Sequence, residues 1–193
     1  MGRAAWRMVL AVALSLGCTK SSSAPPALVT RVHLLEVGER GDAARARGDL
    51  PSALASYREA LAIAEKLAAA DDSYGEAQRD LCVTLERVGA VLFTQRELPE
   101  ALAVSRRALA ISEKLAARHP SIVQLQEDLG GSLENVGEVL RAQGDLPNAL
   151  ASFRKALAIA ETLAAADPTN AVWRDDVKRL GVAIQDTGSP REP

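Results

Sequence analysis

Rings are scarce in this 193-residue chain: two Phe, two Tyr and two Trp make up 3% of it. A core of stacked aromatic side chains is therefore excluded, and alanine supplies much of the 48% hydrophobic content. Alanine is the strongest helix former and lets helices approach closely, so the composition points to an all-α chain. Cysteine occurs at positions 18 and 82, too few for a disulfide framework. The two histidines, His33 and His119, have no cysteine or second histidine at metal-ligand spacing, so they fit helix surfaces or ends, and no metal or cofactor is expected. Charge of one sign is lacking too: 23 basic against 25 acidic residues give a net charge of −2, with no electrostatic footprint for nucleic acid. Long apolar runs are also missing. The nine-residue stretch Met8–Leu16 is too short to cross a hydrocarbon core about 30 Å thick as a helix.

The chain does contain an echo. Gly48-Asp49-Leu50-Pro51, Arg96-Glu97-Leu98-Pro99 and Gly144-Asp145-Leu146-Pro147 recur 48 residues apart, each opening an Ala/Leu-rich stretch. The 24 residues from Asp49 to Asp72 share 19 identities with those from Asp145 to Pro168. Self-similarity at a fixed period of this size marks a solenoid, in which each unit buries its apolar face only against its neighbours.

Each unit divides into two amphipathic helices. Leu81, Leu85, Val88 and Leu92 recur at spacings 4, 3 and 4, and Leu129, Leu133, Val136 and Leu140 repeat them, which is the 3.6-residue period. Gly48 and Gly144 suit the left-handed residue that ends a helix, and Pro51, Pro99 and Pro147 the first turn of the next. Pro120 and Pro168 close the second helix of a unit, and Ser121 with Gln124 reads as a capping box. The expected helices are 31–47, 51–70, 75–95, 99–118, 121–143, 147–166 and 170–187, grouped as units 31–72, 73–120 and 121–168 with a capping helix over 169–187 and a frayed tail 188–193. Gly38 and Gly41 cost about 1 kcal/mol each relative to alanine, so the first helix is expected to be frayed or bent. The pair Gly130-Gly131 is expected to permit close helix contact. Cys82 reads as a small core residue.

Asp80, Asp128 and Asp176 recur at the same period. At roughly 10 Å per helix layer they are too far apart for a catalytic pair. They are expected to bond to the neighbouring helix, a row of cation ligands being the competing reading. No other constellation for catalysis is present.

The third unit resembles a tetratricopeptide repeat in Leu133, Val136, Gly137, Leu140, Gly144, Ala149, Phe153 and Ala156. The second unit keeps Leu85, Val88, Gly89, Leu92, Ala101 and Ala108 but has Arg96 in the turn and Ser105 in the aromatic position. The first keeps Gly41, Gly48, Ala53, Tyr57 and Ala60, with Arg40 in an apolar position. A repeat of this family spans 34 residues, so the extra length amounts to two turns in each helix. The resemblance, over residues 31–187, implies a right-handed superhelical α-solenoid of antiparallel helix pairs whose first helices line a concave groove for a protein or peptide partner. Carried over position by position, that groove presents Glu86, Ala90 and Phe93, then Glu134, Glu138 and Arg141, with Asp42 and Arg45 from the first unit. Its glutamates favour a basic or amide-rich segment, and Phe93 offers an apolar anchor. The competing reading for each is a solvated helix face.

The first residues form a separate object. Arg3 and Arg7 precede the apolar run, and Leu14-Ser15-Leu16-Gly17-Cys18 resembles the lipobox of bacterial lipoproteins, with serine where leucine is commoner. That resemblance implies a signal peptide over 1–17, a lipidated Cys18, and a flexible tether over 18–30 rich in Ser and Pro. An ordinary signal peptide or a mis-assigned start are the alternatives. Thr19, rather than aspartate, favours the outer membrane. The expectation is a lipid-anchored, periplasm-facing interaction module of the bacterial cell envelope, an adaptor or assembly factor rather than an enzyme. A self-associating homo-oligomer without a dedicated ligand is the second reading, because an eroded first repeat would leave one end of the stack poorly covered.

Overall fold

The computed structural model describes residues 26–70 and 75–189. Seven helices follow one another among the described residues: α1 (Pro26–Ala46), α2 (Leu50–Ala70), α3 (Gly75–Thr94), α4 (Leu98–Arg118), α5 (Val123–Gln143), α6 (Leu146–Ala166) and α7 (Ala171–Gly188). There is no strand among them. Each helix packs against the one before and the one after, and α3 also meets α5. The architecture is the expected all-α solenoid of helix pairs with one helix over its last unit. The expected signal peptide, Cys18, the start of the tether and the last residues of the tail lie outside the described residues.

The turns between paired helices follow from backbone geometry. Gly48 and Gly144 take φ of 76° and 84°, where a side chain would be strained, and the Gly144 N–H bonds back to the carbonyls of Arg141 and Leu140. Arg96 takes the same turn with φ 65° although it is not glycine. The Asp49 and Asp145 carboxylates accept from the N–H groups of Ser52 and Asn148, capping α2 and α6. The capping box expected at Ser121 does not form: Ile122 is the N-cap residue of α5, and the Gln124 amide donates to Asp128 on its own helix.

Two apolar clusters run along the stack. Tyr57, Leu85, Val88 and Leu92 anchor the first, and Phe153, Leu133, Val136 and Leu140 the second, with Leu102 packed against both. The first helix differs from its expectation. It starts at Pro26, inside the segment expected to be tether, and runs without interruption to Ala46. Gly41 is not a weak point: a Cβ there would sit 2.4 Å from the Tyr57 ring, so the helix needs its absence. Arg40 does not enter the core but reaches out to Glu59 and, through Nε, to Ser56. Arg31 and Asp42 tie α1 to α3 through Asp80 and Arg87. The first layer is thus folded, while Val32 and Leu35 of α1 stay exposed. No helix among the described residues is long and apolar enough to cross a membrane.

Candidate functional site

The side chains carried over to the groove fall on α1, α3 and α5, and most of them have partners inside the chain. Glu86 is largely buried, and its carboxylate accepts from the Ser132 hydroxyl at 2.7 Å. That serine lies 2.9 Å from Ser112 Oγ, which lies 3.1 Å from Cys82 Sγ, so the four side chains make a buried polar network between α3, α4 and α5. Burial raises the Glu86 carboxyl above its ordinary value, against the Ser132 bond that lowers it. Burial also pushes the Cys82 thiol up to about 11, with the Glu86 charge adding to it. Glu138 pairs with Arg141 at 2.6 Å, one turn along the same helix, and the Arg141 guanidinium lies 5.9 Å from the centre of the Phe153 ring. Glu134 pairs with Arg179 of α7. Phe93 is half-buried against the first core cluster and Ala90 is exposed. Asp42 accepts from the Tyr57 hydroxyl at 2.6 Å, and Arg45 is exposed. The three glutamates expected to make a groove acidic are therefore all engaged within the chain.

Salt bridges link successive layers. Arg31 Nε lies 2.8 Å from Asp80 Oδ2, and Arg79 reaches Asp128 with two nitrogens at 2.7 and 3.3 Å. Both pairs are 49 residues apart, so two of the three repeated aspartates bond to the neighbouring first helix as expected. The third does not. The residue 49 before Asp176 is Glu127, and Asp176 pairs instead with Arg179 on its own helix, at 2.7 Å. Glu127 accepts from the indole N–H of Trp173 at 2.5 Å.

That third interface holds a cavity of about 320 Å³ bordered by α5, α6 and α7. Glu127, Glu134, Asp176 and Arg179 supply its polar lining, Trp173 one wall, and aliphatic side chains of α6 such as Ile159 and Leu163 the floor. Gly130 and Gly131 line it as well, and they do not serve close helix contact. A Cβ on Gly130 would meet Ile159 at an ordinary 3.7 Å, and one on Gly131 would meet nothing within 4 Å. Of the expected groove residues, Glu134 borders this cavity; Glu127, Trp173, Asp176 and Arg179 were not among them. The signal that finds them is the register itself. Gly130 stands 48 residues after Cys82 and 96 after Leu34, both buried, so the repeat's core side chain is missing where the cavity opens.

Residues 80–162 match the tetratricopeptide repeat family model. No curated protein matches the chain. Among solved structures, the N-terminal domain of stress-induced protein-1 (STI-1) from C. elegans is similar at 16% identity with a TM-score of 0.49, over 79% of this chain and 97% of that one.

Proposed function

We propose that this chain is a protein-interaction module, held at a membrane of the bacterial cell envelope through lipid on Cys18, that receives a partner segment along the faces of α3, α5 and α7. The observation that carries the reading is the tetratricopeptide match over residues 80–162, because repeats of this kind mediate binding between proteins rather than chemistry. The fold supports it: first helices of successive layers are tied to one another by Arg31–Asp80, Arg79–Asp128 and Arg179–Glu134, which sets their faces in one stack. Adaptor or assembly work in an envelope machine fits such a surface better than catalysis. The lipobox-like Leu14–Cys18 string supports the anchor.

Crosslinking followed by pull-down from envelopes tests the groove, using the wild type and a variant with Glu86, Phe93, Glu134 and Glu138 replaced. The variant should lose specific partners that the wild type recovers, and an unchanged set would refute the groove assignment. For the anchor, Cys18→Ala should abolish acyl labelling and release the protein from membranes. Labelling that survives the substitution would rule the anchor out.

A further inference from the structure

The repeat defines what each layer should contain, so a layer that breaks the rule carries information. In the first two interfaces an arginine lies against the aspartate 49 residues on, Arg31 against Asp80 and Arg79 against Asp128. In the third the aspartate is kept and the arginine is replaced by Glu127, which puts a second carboxylate where the cation belongs. The same layer exchanges a buried core side chain for Gly130 and opens a cavity. It also places Trp173 on the wall, where the preceding layers have Ala77 and Leu125. Three carboxylates then border the space, and Arg179 is the one cation among its lining residues.

We infer that this cavity, as part of the groove proposed above and resting on that reading, receives an arginine side chain from the partner segment. Its guanidinium takes the place against Glu127 and Asp176 that Arg31 and Arg79 take against the aspartates of the earlier layers. The choice of occupant follows from the lining. A planar cation can bond two carboxylates at once, as Arg31 does with Glu76 and Asp80. Its three-carbon stem needs apolar cover, which the indole and the α6 floor supply. A hydrated metal ion would leave those surfaces unused. At about 320 Å³ the space lies at the small end of the ~300–1,000 Å³ range of ligand pockets, fit for one side chain and not for a large cofactor. The Asp176 carboxyl is raised by burial and by the nearby charges of Glu127 and Asp175, even with Arg179 paired to it.

The test is titration of the full chain with the peptide acetyl-Ala-Ala-Arg-Ala-Ala-amide and with its citrulline counterpart, which keeps the shape and removes the charge. The indole N–H signal of Trp173, identified in a Trp6→Phe background, reports occupancy by NMR. The arginine peptide should shift that signal saturably at millimolar concentration and bind roughly tenfold or more tightly than the citrulline peptide. Glu127→Arg should abolish the shift, and Gly130→Leu should do the same by filling the space with the side chain that Leu34 supplies in the first layer. Thermal melts establish that both variants are folded, and Glu127→Arg should melt no lower than the wild type because it completes the ladder. Equal binding of the two peptides, binding that survives Glu127→Arg, or no saturable shift with either peptide would overturn the inference. Its failure is distinguishable from failure of the groove: if Glu127→Arg keeps the crosslinked partners that the Glu86/Phe93/Glu134/Glu138 variant loses, the arginine pocket falls and the groove stands.

Discussion

Glycines at the repeat period should not all respond alike to the same substitution. Gly41, Gly89 and Gly137 each precede by 16 residues the side chain they pack against, Tyr57, Ser105 and Phe153. A Cβ on Gly137 would lie 2.6 Å from Phe153 Cε1 and 2.8 Å from Cδ1. Phe153 has no solvent-accessible surface, so its ring cannot swing away without disturbing the second core cluster. A Cβ on Gly89 would meet Ser105 Oγ at 3.2 Å and Val104 Cγ2 at 3.3 Å, contacts that a few tenths of an ångström relieve. Alanine gains about 1 kcal/mol over glycine as a helix former at either position. Overpacking a buried site costs about 1–3 kcal/mol, and a collision with a fixed ring belongs in the upper half of that range. Gly137→Ala should therefore lose about 1–2 kcal/mol, while Gly89→Ala should lie between neutral and about 1 kcal/mol more stable. Urea unfolding followed by circular dichroism gives the comparison, with constant slopes as the check that only stability has changed. The ring is identified as the cause by a second background: in Phe153→Ser, which installs the side chain of the second unit, Gly137→Ala should cost nothing, a coupling of about 2 kcal/mol. Equal effects at the two glycines, or a Gly137→Ala penalty that persists without the ring, would refute the reasoning.

The other predictions rest on single groups. Arg96 takes the left-handed turn that Gly48 and Gly144 take freely, so Arg96→Gly should raise stability by about 0.5–1 kcal/mol, seen as a higher melting temperature. Because burial raises the Glu86 carboxyl above its unfolded value, the folded state holds that proton more tightly, and stability falls as pH rises from the unfolded pKa through the folded one. Glu86→Gln, which can still accept from Ser132, should therefore stabilise the chain near neutral pH, with the gain shrinking as pH falls toward about 4. A difference in urea midpoint that does not change with pH would count against it. Cys82, 4% exposed and with its thiol pushed up to about 11, should react with a thiol reagent in a Cys18→Ala background only when urea opens the stack.

Six of the seven helices begin and end within two residues of where glycine, proline and apolar spacing put them, because those signals are local. The misses at α1 and α5 have tertiary or competitive causes. Gly41 counts as a cost when its helix is weighed alone and becomes a requirement once Tyr57 lies across it. A proline in the first turn of a helix and a proline in a tether look alike, so the run before Leu28 could not mark where α1 starts. Ser121 lost the cap position of α5 to Ile122 because Gln124 bonds forward to Asp128 and not back to the backbone.

The helices that carry the proposed groove residues were legible and the partners of their charges were not, and the reason lies in sequence distance. Glu86 meets Ser132, Asp128 meets Arg79 and Glu127 meets Trp173 across 46 to 49 residues, one layer of the stack away. A helix-by-helix reading sees the carboxylates and misses the groups that satisfy them. Superposing the units at their own period recovers those partners, and it also separates two kinds of residue that look equally regular. Side chains that obey the period, such as Asp80 and Asp128, are engaged in holding one layer to the next. The places that break it, Glu127 for arginine and Gly130 for a core side chain, leave a space bordered by three carboxylates and one guanidinium, with Glu127 held by the Trp173 indole rather than by a cation. Among the described residues α7 closes the stack and has no further layer to hold, so its interface with α5 is free to depart from the repeat, and that is where a bound partner can be served.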